Sequence, residues 1–177
     1  MLFGRGGASP AAADRDRRRR HDAAAAMLGQ RPAAPGAPPA PVNLALMTAE
    51  DLERRLTAFF GRRGYTVWPT PARGDVGACL LLCRDDQGVV VQVKRWNAPL
   101  GPEVVRATLE AIRQHAGTLR RLGCSRIGGL VVSTAPFTPE ARELAGGSGV
   151  LLWDRQALET QLRADTAMQS AGRTPPG

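Results

Sequence analysis

Two apolar runs joined by a polar turn constrain this chain more than any other feature. Ala78–Cys83 is continuous and of strand length, Asp85-Asp86-Gln87-Gly88 is rich in turn formers, and Val89–Trp96 returns with valines at 89, 90, 91 and 93. That pattern predicts an antiparallel hairpin, which is marginal alone and needs further strands and a covering layer. The flanking sequence supplies both. Upstream, Thr48 is a helix N-cap with Asp51 three positions on, and Leu52, Leu56, Phe59 and Phe60 recur at helical spacing until Gly64. A short strand at Tyr65–Trp68 then enters the breaker-rich loop Pro69–Gly77. Downstream, Pro102 and Glu103 open a long helix with the apolar stripe Val105, Leu109, Ile112, Ala116 and Leu119, stopped by Gly123. Ile127–Ser133 reads as a buried strand, Thr138-Pro139-Glu140 as the cap of a short helix to Leu144, Val150–Trp153 as a last strand and Arg155–Leu162 as a last helix. The order α-β-β-β-α-β-α-β-α predicts an α/β domain over residues 48–163, a mixed β-sheet flanked by helices.

The ends differ in composition. Residues 1–47 are rich in Ala, Pro and Arg, with AAPGAPPAP at 33–41, and are expected to be a disordered tail, as are residues 164–177. A chain of 177 residues thus holds one domain with tails. No stretch approaches the roughly 20 apolar residues that cross a bilayer, and no signal-peptide pattern is present; the expected location is the cytoplasm, with no membrane partner. The formal charge of +8 favours a polyanionic partner, nucleic acid before a membrane surface. An arginine-rich composition from a GC-rich coding sequence is the other source of that charge. Cys79, Cys83 and Cys124 are odd in number and lack CxxC spacing, and His21 and His115 are the only histidines, which argues against a disulfide framework and a zinc site.

Chemistry concentrates on the returning strand. Alternation sends Val89, Val91 and Val93 one way and Gln92, Lys94 and Trp96 the other. A glutamine and a lysine on so apolar a strand are costly unless they face a polar cleft. Lys94 is the only lysine among 24 basic residues, which suggests a site needing a compact ammonium rather than a guanidinium; a snorkelling edge-strand lysine is the alternative.

Gly74-Asp75, an apolar strand, then Gln92-Val93-Lys94-Arg95-Trp96 resembles the "GDxGxD … QxK" signature of Mrr-type (type IV) restriction endonucleases, in the PD-(D/E)xK nuclease superfamily. Glu53 falls in the helix before Gly64-Tyr65-Thr66-Val67, where the family has a helix glutamate before its "GY-V" strand. Val131–Thr134 with Phe137-Thr138 and Ala141 is similar to its "VT…FT..A" segment, and Val150–Asp154 with the closing helix is similar to its end. The resemblance spans nearly all of residues 48–163. It implies a restriction-endonuclease-like fold, DNA as partner, and Mg2+-assisted phosphodiester hydrolysis, in which acidic side chains hold the ion and the lysine orients or activates water. By position, the catalytic set it implies is Lys94, Gln92 and Glu53, and the metal ligands Glu53 and Asp75. Double-strand cutting by such domains uses two copies, a homodimer.

The sequence departs from the signature where the metal-binding aspartate would stand, because Gly74-Asp75-Val76-Gly77-Ala78-Cys79 places Cys79 there. A thiol is a poor donor for a hard ion, and Gln92 offers only a neutral carbonyl. Asp75, four residues earlier and up to about 13 Å away along an extended chain, compensates only if its loop folds back. The simpler readings are a turn-stabilising aspartate for Asp75, a solvated helix face for Glu53 and a core residue for Cys79. Weak or absent cleavage with DNA binding retained is therefore expected. Arg95, Trp96 and Arg73 are candidate DNA contacts, and Arg62, Arg63, Arg113, Arg120 and Arg121 a basic rim. Three readings stand: an active endonuclease, a degenerate member that binds DNA without cutting it, and a protein-interaction module.

Overall fold

The structure, a computed structural model, describes residues 43–70 and 79–171. The expected loop centre with Arg73 and Asp75 lies outside the described residues, as do residues 1–42 of the expected 1–47 tail and residues 172–177 of the expected 164–177 tail.

The chain forms α1 (Ala49–Arg62), β1 (Thr66–Thr70), β2 (Cys79–Arg84), β3 (Gln87–Lys94), α2 (Pro102–Arg121), β4 (Arg126–Ser133), α3 (Pro139–Ser148), β5 (Val150–Trp153) and α4 (Arg155–Ala171). The five strands lie in chain order across one sheet. β1, β2 and β3 pair antiparallel, whereas β3, β4 and β5 pair parallel. The switch follows from the connections: a tight turn returns β2 into β3, while helices carry the chain from β3 to β4 and from β4 to β5.

Helices cover both faces. Leu52, Leu56, Phe59 and Phe60 of α1 and Leu158 and Leu162 of α4 pack with Leu80, Leu82, Val91, Val93, Leu130 and Val132. On the other face Val104 and Val105 of α2 and Ala141 and Ala145 of α3 pack with Val131 and Val150. Toward the hairpin turn, Ala111 and Leu119 meet Trp68, Leu81 and Val90. Each fully buried Leu, Val or Phe in these layers contributes about 1.5–3 kcal/mol of transfer free energy.

Several boundaries differ from the sequence reading. Pairing continues to Arg84 opposite Gln87, so the turn is only Asp85-Asp86, with Asp85 at φ 54. β3 stops at Lys94, and Arg95 and Trp96 leave the sheet. The buried side of α2 includes Val104, Thr108 and Ala111 beside Val105 and Leu119. Gly129 on β4 permits this close approach: a Cβ there would come within 2.9 Å of both Thr108 Cγ2 and Ile112 Cδ1.

The domain also extends past its expected ends. Leu44 is buried in the α1 layer. α4 continues through Asp165, which is only 5% exposed and accepts from Arg62 and Arg63 at the end of α1, the latter at 2.7 Å. This pairing spans 102 residues of chain, beyond the reach of any local pattern.

Candidate functional site

Every helix among the described residues begins at one end of the sheet, the end where β1, β3, β4 and β5 finish and β2 starts. Ligand sites in open α/β sheets collect at such an end, where loops and helix N-termini meet. Lys94 closes β3 there, half-buried and opposite Ser133 of β4. Gln92, two residues deeper, is fully buried. Its register partners are Cys79 on one side and Val131 on the other.

Because Val131 packs against α2, Gln92 and Lys94 belong to the face that α2 and α3 cover. Glu53 follows Leu52 on α1, the helix that covers the opposite face. The structure therefore brings Gln92 and Lys94 together on one face and places Glu53 across the sheet from them. What they share is the sheet end: Arg95, next after Lys94, donates from Nε to Met47 O at 2.6 Å and from Nη2 to Ala45 O at 3.5 Å, just before α1 begins. Glu53 could meet Lys94 only around that end. Burial, and then the charge of Glu50, push the Glu53 carboxyl above its ordinary pKa, a perturbation common among functional acids.

The segment after β3 is braced. Trp96 donates its amide to Thr134 Oγ1 at 3.2 Å, and that hydroxyl donates back to Trp96 O at 3.0 Å. Leu100 and Phe137 form a parallel bridge, with the Leu100 amide on Pro136 O at 2.9 Å. Arg155, opening α4, donates from Nε to Thr134 O at 3.1 Å. Trp96 is left 53% exposed, and Arg95 and Arg155 are exposed as well. Thr134 and Arg155 were missed as contributors. Thr134 stands in the quoted "VT…FT..A" segment, whereas nothing local marks Arg155.

The expected basic rim is partly spent on the fold. Arg62 and Arg63 hold Asp165. Arg113 pairs with Glu110 at 2.6 Å on the exposed face of α2.

Nucleases of the PD-(D/E)xK kind generally use a divalent metal. Among the described residues no group of three His, Cys, Asp or Glu side chains is gathered to hold one. Glu53 brings a carboxylate from the far face and Gln92 a neutral amide, and that donor set does not fit a hard divalent ion. Asp75 lies outside the described residues.

No helix among the described residues is long and apolar enough to cross a membrane. No protein of curated function matches the sequence. The apo form of EndoMS is similar over 61% of this chain and 46% of its own, at 18% identity and a TM-score of 0.45. The MspJI restriction endonuclease, solved in complex with a 27-mer oligonucleotide, is similar over 71% of this chain and 29% of its own, at 18% identity and a TM-score of 0.48. The chain thus spans less than half the length of either protein. The restriction endonuclease model of Mrr type matches residues 44–162, beginning at the buried Leu44 and ending at the buried Leu162 of α4. With that match over well more than half of its length, the chain belongs to the Mrr-type restriction endonuclease family.

Proposed function

We propose that this domain binds DNA at the sheet end where β3 finishes, and that it hydrolyses phosphodiester bonds weakly or not at all. One observation carries the reading. Cys79 and Gln92 are register partners; Gln92 is the glutamine of the quoted signature, and Cys79 stands where that signature puts its metal-binding aspartate. A thiol residue and a neutral amide there leave the anionic charge for an Mg2+ ion to Glu53 and Asp75.

Binding does not need those acids. Lys94 keeps an ammonium at the sheet end, and Trp96 offers an exposed indole to a base. Arg155, Arg95 and Arg73 supply guanidinium groups for phosphate. The net charge of +8 adds long-range attraction. On this reading the partner is DNA in the cytoplasm, and a homodimer is required only for double-strand cleavage.

Fluorescence anisotropy with a short labelled duplex tests the binding half. Affinity should fall by a factor of about 10–1000 between ~50 and ~200 mM salt, as release of counterions from several phosphates requires. Lys94→Ala should weaken binding at every salt concentration. A protein-interaction module whose charge reflects composition would show no measurable affinity for the duplex, and that result overturns the proposal.

A further inference from the structure

We propose that Cys83 and Cys124 form a redox-modification site, a thiol pair that a low-molecular-weight disulfide such as oxidised glutathione converts into an intrachain disulfide. Their Sγ atoms lie 2.7 Å apart, about 0.7 Å beyond a covalent S–S bond. They come from positions 41 residues apart, so no sequence spacing announces the pair.

The backbone builds this approach. Cys83 is held in β2 opposite Gly88 of β3. Cys124 follows Gly123, whose φ of 93° turns the chain out of α2, and its amide is fixed on Leu119 O at 3.0 Å. Gly88 makes the room: a Cβ there would stand 3.0 Å from the Cys124 Cβ. Both ends are thus fixed by main-chain hydrogen bonds before any bond forms between the sulfurs. Cys124 is buried, whereas Cys83 is half-buried and is the thiol a reagent reaches first.

The chemistry is thiol–disulfide exchange. The Cys83 thiolate attacks one sulfur of the small disulfide, forming a mixed disulfide and releasing one thiol. The Cys124 thiolate then attacks the Cys83 sulfur and releases the second thiol. Two protein thiols are oxidised, one small disulfide is reduced to two thiols, and the two protons lost by the cysteines end on those thiols.

The bond would staple the turn end of the β2–β3 hairpin to the α2–β4 junction, and would close a loop containing Gln92, Lys94 and Trp96. Constraining the unfolded chain over a loop of that length should raise Tm by on the order of 10 °C.

The full chain is incubated with oxidised glutathione, alkylated under denaturing conditions, and mapped by mass spectrometry. The alkylatable thiols should fall from three to one, Cys79, with a peptide cross-link joining Cys83 to Cys124. Tm should rise, and dithiothreitol should reverse both changes. Cys83→Ser should abolish the cross-link and the Tm shift. Three alkylated cysteines, glutathione adducts without a cross-link, or a cross-link to Cys79 would each overturn the proposal. Mapping of the unsubstituted protein decides between these outcomes even if Cys83→Ser fails to fold.

Discussion

Arg95 donates its guanidinium Nε–H to the carbonyl of Met47 at 2.6 Å, tying the exit of β3 to the entry of α1. A residue expected to meet phosphate therefore serves first as a brace between the strand that carries Lys94 and the helix that carries Glu53. Arg95→Ala should lower stability by about 1 kcal/mol, the usual worth of such a bond in partial solvent. Chemical denaturation measures this, and a change below a few tenths of a kcal/mol would show that the brace is not held in solution.

Trp96 and Arg155 differ in what they offer a nucleic acid, and their variants should differ in kind. Trp96→Ala should weaken single-stranded or distorted DNA binding by about 1–3 kcal/mol while leaving the salt slope unchanged, because a stacked ring releases no counterion. Arg155→Ala should reduce that slope by about one. Anisotropy titrations across salt separate the two effects. Equal loss of slope in both variants would contradict the assignment.

Asp165 gives the fold an acid-sensitive joint. Burial alone would raise its pKa, but hydrogen bonds and charge from Arg62 and Arg63 outweigh it and hold the carboxyl below the ordinary 3.8. A folded-state pKa below the unfolded one means that the pair stabilises fully above the ordinary value and loses its contribution as pH falls through the lower, folded value. Asp165→Asn should therefore cost about 2 kcal/mol at pH 7, less than the ~3–5 kcal/mol of a fully buried pair because the guanidiniums are partly solvated. The gap from the unsubstituted protein should close as the pH falls below 3.8 through the lower, folded value. Urea titrations at neutral and strongly acidic pH check both the size and the sign.

Gly129 marks where α2 presses on β4. Gly129→Val would drive side-chain atoms into Thr108 and Ile112, and overpacking of this kind costs about 1–3 kcal/mol. Gly128, one residue earlier and with nothing within 4 Å of a Cβ, should accept alanine with little change. Thermal unfolding of the two variants measures the contrast.

Element order was legible because it rests on local signals. The capping box of Thr48 and Asp51 forms as its spacing predicts, and the hairpin pairs around Asp85-Asp86. Ends were less legible. β3 stops at Lys94 because the Trp96 backbone turns to bond Thr134, and α4 runs on because Asp165 finds two arginines far away in sequence. That Gln92 and Lys94 share one strand face was legible in the alternation of β3. The relation of that face to Glu53 was not, since the face a helix covers is set by how the whole sheet is connected. The approach of Cys83 to Cys124 was hidden for the same reason.

On the proposed reading, the strand position of Cys79 lacks the carboxylate that cleavage needs. The direct measurement is nicking of supercoiled plasmid with Mg2+ or Mn2+ by the unsubstituted protein, by Cys79→Asp and by Cys79→Asp with Lys94→Ala. Little or no nicking is expected from the unsubstituted protein, with a gain of at least about tenfold when the acid is supplied, equivalent to about 1.4 kcal/mol of barrier, and loss of that gain without Lys94. Vigorous nicking by the unsubstituted protein would overturn this reading, as would a folded Cys79→Asp variant with no gain.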